Sequence, residues 1–224
     1  MIDTNALFKV SYGLYLVCSG DSNKGNGYVC NTVMQVSSEP VLFTICCNKN
    51  NNTAELIKKQ GAFSVSVLEQ DCSAELIGDF GYKSGRDFDK LKGKDLRWGE
   101  TGVPIVLNEC IAYLECRVTQ TIDVGTHLMF IGEAVQAEVL DSNKDPLTYA
   151  YYRQVRKGIA PKNAPTYIKH NTIEEVSSIQ DFKKHRCQVC GYIFEDTENQ
   201  TFEDLPADWI CPICSAEKDH FVVI

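Results

Sequence analysis

CQVC, from Cys187 to Cys190, and CPIC, from Cys211 to Cys214, repeat one four-residue design near the end of a 224-residue chain. A tight turn aims both sulfurs of a C-x-x-C at one ion, and two such turns complete the tetrahedral shell that thiolates offer to zinc or iron. Two disulfides would use the same cysteines. However, the start MIDTNALFKV lacks the basic region and long apolar core of an export signal, and the other cysteines show no paired spacing. Between and after the two knuckles stand Tyr192, Phe194, Phe202, Trp209 and Phe221. They supply an aromatic core for a domain too small to stand without a staple.

The order CGYIF, TFEDLPADWICPIC, then Lys218 and Phe221 resembles rubredoxin, the one-iron electron carrier, from about Arg186 to Ile224. The resemblance implies a single iron on Cys187, Cys190, Cys211 and Cys214, cycling between ferric and ferrous. Two departures stand out. The first loop is cut to EDTENQ, and Ser215 stands where the family has the glycine that takes positive φ and aims N–H groups at sulfur. A structural zinc is the alternative occupant.

The length accommodates one domain of ordinary size beside this small one. The longest apolar runs, such as VLFTICC, are strand-sized and far too short to span a membrane. A cytoplasmic protein is therefore expected, with Cys18, Cys30, Cys46, Cys47, Cys72, Cys110 and Cys116 reduced. A net charge of −8 argues against a nucleic-acid partner. From Lys183 onward there are four positive and eight negative residues, a surface able to steer a basic redox partner or simply to keep the domain soluble.

Along the first part of the chain, SYGLYLVCSG, GYVCNTVMQV and PVLFTICCN read as strands of an antiparallel meander. Thr53 is placed as the cap of a short helix closed by Gly61, and AFSVSV as a half-buried strand by its period of two. Ser73 caps a second helix, after which GYKSGRDFDKLKGK reads as a loop. In ECIAYLECRVTQTIDV, Ala112, Leu114, Cys116, Val118, Ile122 and Val124 share one face, and Glu115, Arg117, Thr119, Thr121 and Asp123 the other. THLMFIGEAVQAEVL is its hairpin partner, and beyond Asp141 the pattern loosens. Six or so strands with few helices predict a mainly β protein, an antiparallel barrel followed by the metal domain. The expected divisions are a barrel over 1–168, a linker over 169–186 and a metal domain over 187–224.

NKNNNT offers Lys49, side-chain amides and free N–H groups at a helix start, a combination that can bind phosphate but is also ordinary capping. KSGRD, Lys83 to Asp87, is a second basic loop able to reach the same anion. His127 is the one histidine in the barrel's strand pattern.

NTVMQVSSEP, CCNKNNNTAELI, FGYKSGRDFDK, GTHLMFIGE and YYRQVRKGIAPKNAPTY, in this order, resemble the flavin-reductase-type FMN-binding split barrel over roughly Asn5 to Ile168. As a whole the chain is similar to the high-molecular-weight rubredoxins, in which that barrel is fused to rubredoxin. The resemblance implies FMN held by Asn31, Thr32, Gln35 and Ser37 along its ring and ribityl chain. Asn48, Lys49 and Thr53 would hold ribityl and phosphate. Phe80, Lys83, Ser84 and Arg86 would close the site, with His127 near the place where a nicotinamide stacks. It also implies a homodimer, and a flavodiiron protein that reduces oxygen or nitric oxide as acceptor. A nicotinamide gives up two electrons together and a single iron accepts one, so a flavin between them converts pairs into single electrons. The expected function is NAD(P)H to FMN to iron to an acceptor protein. The alternatives are a pure carrier reduced by another flavoprotein, or a flavin reductase with a structural zinc knuckle.

Overall fold

The computed structural model describes residues 3–167, 183–197 and 200–224. In chain order the first part contains α1 (Thr4–Leu7), β1 (Tyr15–Gly20), β2 (Gly25–Cys30), β3 (Val33–Ser38), β4 (Val41–Asn48), α2 (Asn52–Gln60), β5 (Ala62–Leu68) and α3 (Ala74–Gly81). Then follow β6 (Leu96–Trp98), β7 (Pro104–Val106), β8 (Cys110–Asp123), β9 (His127–Val139) and α4 (Tyr149–Gln154). The second part contains β10 (Lys184–Cys187), β11 (Ile193–Glu195) and β12 (Phe221–Val223). The expected linker, 169–186, falls mostly outside the described residues, as does Ile168.

Seven strands form one antiparallel sheet in the order β2-β1-β5-β8-β9-β4-β3. Its two edge strands, β2 and β3, are consecutive in the chain and joined only by Asn31 and Thr32. GYVCNTVMQV, expected as one strand, is therefore two: at the corner the chain leaves its pairing with β1 and takes up pairing with β4. The sheet curls until its ends meet without a ladder between them. Tyr28 and Cys30 of β2 reach across instead, donating to the Cys46 carbonyl of β4 at 2.9 and 3.7 Å. This is the split in the barrel.

Inside the curl lie Val17, Ile45, Cys47, Phe63, Val65, Cys116 and Phe130, sealed at one end by Ala54 and Ile57 of α2. The cap of α2 is Asn51 rather than Thr53: its side chain accepts the Thr53 N–H, and Gly61 closes the helix in the left-handed conformation at φ 67°. Any of four adjacent polar residues carries the chemistry of a cap, so composition alone did not select among them.

Two strand readings change for a common reason. The period of two in AFSVSV suggests a solvated serine face, yet Ser64 and Ser66 are buried and donate to the Pro104 and Val106 carbonyls at 2.6 and 2.7 Å. The short β6–β7 hairpin lies over them, and its three-residue strands carry too little periodicity to be read in advance. Glu115, expected on the polar face of β8, is likewise fully buried. It accepts the N–H groups of Glu100 and Thr101 in the β6–β7 turn, each at 2.8 Å. Bulges in the β8–β9 register at Glu115/Cys116 and Val118/Gln120 break the simple alternation.

The second part is a three-stranded sheet, β11-β10-β12, beside the aromatic cluster. Phe202 lies 5.0 Å from Phe221 and 5.7 Å from Trp209 between ring centres, and Trp209 and Phe221 are 5.3 Å apart, spacings of favourable edge and tilted contacts. Among the described residues no helix is long and apolar enough to cross a membrane.

Candidate functional site

A cleft enclosing about 1070 Å³, part of it open solvent, lies at the split corner. Its walls come from β2 and the corner (Tyr28, Cys30, Asn31), the β4–α2 turn (Asn48, Asn50, Asn51, Asn52), and α3 with the following loop (Phe80 through Arg86). His127 at the start of β9, Tyr149 and Tyr152 of α4, and the strap Ile159–Thr166 complete it. The two loops expected to share an anion do meet. Asn52 donates to the Gly85 carbonyl at 3.4 Å, and Arg86 donates to the Asn50 carbonyl at 3.1 Å. Their meeting brings Arg86, amide donors and Lys83, itself paired with Asp79 at 2.7 Å, to the cleft, a donor set suited to an anion, and Phe80 and the tyrosines add apolar lining.

Of the residues expected to hold a flavin, Asn31, Asn48, Phe80, Lys83, Ser84, Arg86 and His127 line this cleft. Thr32, Gln35, Ser37, Lys49 and Thr53 are not among the lining residues. Thr32 faces Cys30 and the Cys46 carbonyl, Gln35 donates to the Ser37 carbonyl on the exposed edge strand, and Lys49 pairs with Asp123 at 2.6 Å. Thr53 is fully buried with its hydroxyl unpartnered, next to the cap of α2. His127 accepts from or donates to the Thr126 hydroxyl through Nδ1 at 2.8 Å and meets the Asn163 carbonyl through Nε2 at 3.1 Å. A carbonyl only accepts, so the proton of the neutral ring sits on Nε2.

The strap, part of the last motif of the barrel resemblance but given no site residue there, is pinned by those same polar residues. Asn48 and His127 both hold the Asn163 carbonyl, Asn31 donates to the Thr166 hydroxyl at 3.0 Å, and Tyr82 donates to the Ile159 carbonyl. Lys90 is a second residue that sequence reading missed, because it sits in a stretch that reads as solvated loop. It is buried at the cleft and donates to the Gly27 and Phe80 carbonyls, each at 3.0 Å.

Burial lowers the Lys90 ammonium to about 8 from 10.5. Between those values the unfolded chain binds more protons than the folded one, so this group makes stability rise with pH across the window. The full effect is on the order of 3 kcal/mol. Replacing Lys90 with Met should remove that rise. Denaturant unfolding of both chains from pH 8 to 10.5 should show the parent gaining stability relative to the variant, while contributions common to both cancel.

The four knuckle cysteines are all buried, and their sulfurs lie within 4.8 Å of one another. Cys190 and Cys211 are 3.6 Å apart and Cys187 and Cys214 3.8 Å. A tetrahedron with metal–sulfur bonds of about 2.3 Å has edges of about 3.8 Å, so the set fits a four-sulfur ion. The two knuckles repeat one hydrogen-bond scheme. Gly191 N–H donates to Cys187 O at 2.8 Å and Ser215 N–H to Cys211 O at 2.9 Å. Cys187 N–H donates to Tyr192 O and Cys211 N–H to Ala216 O, both at 2.8 Å. Bonds from Cys190 and Cys214, and then the N–H groups of Ile213 and Cys214, hold the Cys211 thiol down, while the same crowding of sulfurs pushes Cys190 and Cys214 up, a conflict that a bound cation would relieve.

Gly191 and Ser215 occupy equivalent places, with φ of 82° and 57°. A side chain in that region costs about 1–2 kcal/mol, which glycine avoids. Ser215→Gly should therefore stabilise the metal-loaded second domain by about 1 kcal/mol, read as a later unfolding midpoint at unchanged slope.

A split barrel with a polar-ended cleft, followed in one chain by a four-cysteine ribbon, is the architecture of a two-centre redox protein. The flavin reductase like domain family matches residues 7–159 and the rubredoxin family residues 184–221. The chain belongs to the flavin reductase like family, carries a rubredoxin domain, and is an oxidoreductase whose two parts provide for a flavin and an iron. The high molecular weight rubredoxin of Moorella thermoacetica is 39% identical, over 98% of this chain and 99% of that protein. A ferric-chelate reductase (NAD(P)H) of Archaeoglobus fulgidus is 44% identical over 75% of this chain and 99% of its own length. Among solved structures, the NADH:FAD oxidoreductase of Streptomyces globisporus superposes with a TM-score of 0.56 at 25% identity, covering 64% of this chain and 85% of that one.

Proposed function

We propose that the protein carries electrons from NAD(P)H, through FMN in the cleft, to one iron on Cys187, Cys190, Cys211 and Cys214, and on to an acceptor protein of the flavodiiron class. The observation that carries this reading is that the cleft and the four-sulfur centre share a wall, α3 with Tyr82 and Tyr152. A bound flavin accepts two electrons as hydride and releases them singly, which a one-iron centre needs. The residues of the chain bind, orient and exclude water. Arg86, Lys83 and the Asn50–Asn52 turn form one cationic, donor-rich end, which favours the single phosphate of FMN. The Nε2 proton of His127 marks the polar side of the cleft, where a donor nicotinamide would be oriented.

A second copy of the chain fits the barrel's exposed apolar surface, since Met34, Val36 and Val41 on the β3–β4 edge and Ile122 and Val124 on the projecting hairpin are all exposed. The acidic face of the iron domain suits a partner of opposite charge, and an exchange that slows with added salt is the expected signature.

The reading is tested by releasing and identifying the flavin, then titrating the anaerobic protein with NADH and with NADPH. FMN with one iron per chain, and reduction of both by a nicotinamide, is the expected result. Iron that responds only to a separate reduced flavoprotein would instead make the chain a carrier.

A further inference from the structure

Gly78 stands in the middle of α3, where glycine costs a helix about 1 kcal/mol relative to alanine, so its presence calls for a packing reason. The reason is on the other side of the molecule's sequence. A methyl group at Gly78 would lie 2.4 Å from the Cys214 carbonyl oxygen, 3.0 Å from its carbon and 3.3 Å from its Cα. All three are backbone atoms of a metal-ligand knuckle and have no flexible end to swing away. Around this point Leu76, Ile77 and Phe80 of α3, Tyr152 of α4, Ile213 and the four knuckle cysteines form one buried cluster, with Tyr82 and Ala216 packed against it.

Tyr82 and Tyr152 occupy the remaining space. Their hydroxyls are 3.3 Å apart, and both residues line the flavin cleft. Both also pack in the buried cluster that holds the four sulfurs. Ionisation of both phenols is opposed chiefly by burial, and Cys190 adds to this for each, with Cys214 adding for Tyr82.

We propose that α3 is the docking face of the iron domain within the same chain, that Gly78 permits the Cys214 knuckle to lie directly on the helix, and that the Tyr82–Tyr152 pair is the partition between the two redox sites. The docking stands on the packing alone. Its functional meaning rests on the relay reading above: reduction of the iron is then an event within one chain, each transfer moving one electron from reduced flavin to ferric iron, with the flavin's proton released to solvent over the two transfers and the iron returned to ferric by the acceptor between them. Gly78 does not line the cleft, so it is a positioning residue.

Gly78→Ala separates the possibilities, because it favours the helix and obstructs only the docked knuckle. In full-length zinc-loaded protein, where no redox change intervenes, hydrogen exchange of 74–81 and 211–216 should rise about tenfold in the variant. The radius of gyration from solution scattering should increase as well. In the iron-loaded protein, reduction of iron after anaerobic mixing with NADH should be independent of protein concentration for the parent and at least tenfold slower for the variant. Bleaching of the flavin itself should keep its rate. Should the variant lose its flavin through misfolding, the parent decides the matter: removing its metal with a chelator should expose 74–81 to exchange.

Exchange and scattering unchanged by both the substitution and metal removal would overturn the docking. An undocked variant whose iron is still reduced at the parent's rate would overturn the within-chain route. Iron that NADH never reduces in the parent would defeat the relay reading, leaving exchange and scattering to judge the docking.

Discussion

Cys190→Ser should yield a chain without the native ferric-thiolate chromophore and with little bound iron, yet with flavin that NADH still bleaches. Removing one of four thiolates opens the tetrahedral shell, and metal binding in small domains of this kind supplies about 10–16 kcal/mol of apparent folding free energy. The loss should therefore extend to the aromatic cluster of Phe202, Trp209 and Phe221, seen as loss of near-ultraviolet dichroism from Trp209. The barrel has its own core around Phe63, Val65 and Phe130 and its own cleft walls, so its reaction with NADH should continue. Loss of flavin reduction together with iron would mean that the two centres are not separable.

His127→Ala should slow flavin reduction by NADH by about tenfold, the order of one lost hydrogen bond, while raising the flavin dissociation constant by less. His127 lines the cleft with Nε2 on the Asn163 carbonyl of the strap, and its backbone pairs with Asn48 at the start of the turn that Arg86 reaches. In the proposed relay a nicotinamide stacks near this ring, so the substitution is expected to disturb donor approach more than flavin retention. Stopped-flow reduction under anaerobic conditions, paired with a flavin-binding titration, measures the two effects separately. Unaltered reduction would return His127 to a purely structural role, holding the strap.

The metal centre was legible in the sequence because its chemistry is local: two C-x-x-C turns carry their geometry in their spacing, and the structure brings the four sulfurs to tetrahedral distances. The mainly β fold was legible from strand periodicity, and the closing of α2 by Gly61 from one residue's conformational freedom. What escaped was non-local. Ser64, Ser66 and Glu115 look solvent-facing until the β6–β7 hairpin covers them, and nothing in their own strands announces that cover. The split of GYVCNTVMQV at Asn31 follows from which strand each half pairs with. Lys90 reads as an ordinary loop lysine, and only the carbonyls of Gly27 and Phe80, far away in sequence, make it a buried one. The same holds for Gly78, whose neighbour Cys214 lies in the other domain.

The central claim is that electrons from a nicotinamide reach the four-cysteine iron through the flavin cleft, and an anaerobic visible spectrum of the purified protein before and after adding NADH tests it most directly. Flavin and iron-thiolate bands that are both present and both bleach, the flavin band first, is the result predicted. A flavin band that bleaches while the iron band stays, or a spectrum with no iron band at all, would contradict it.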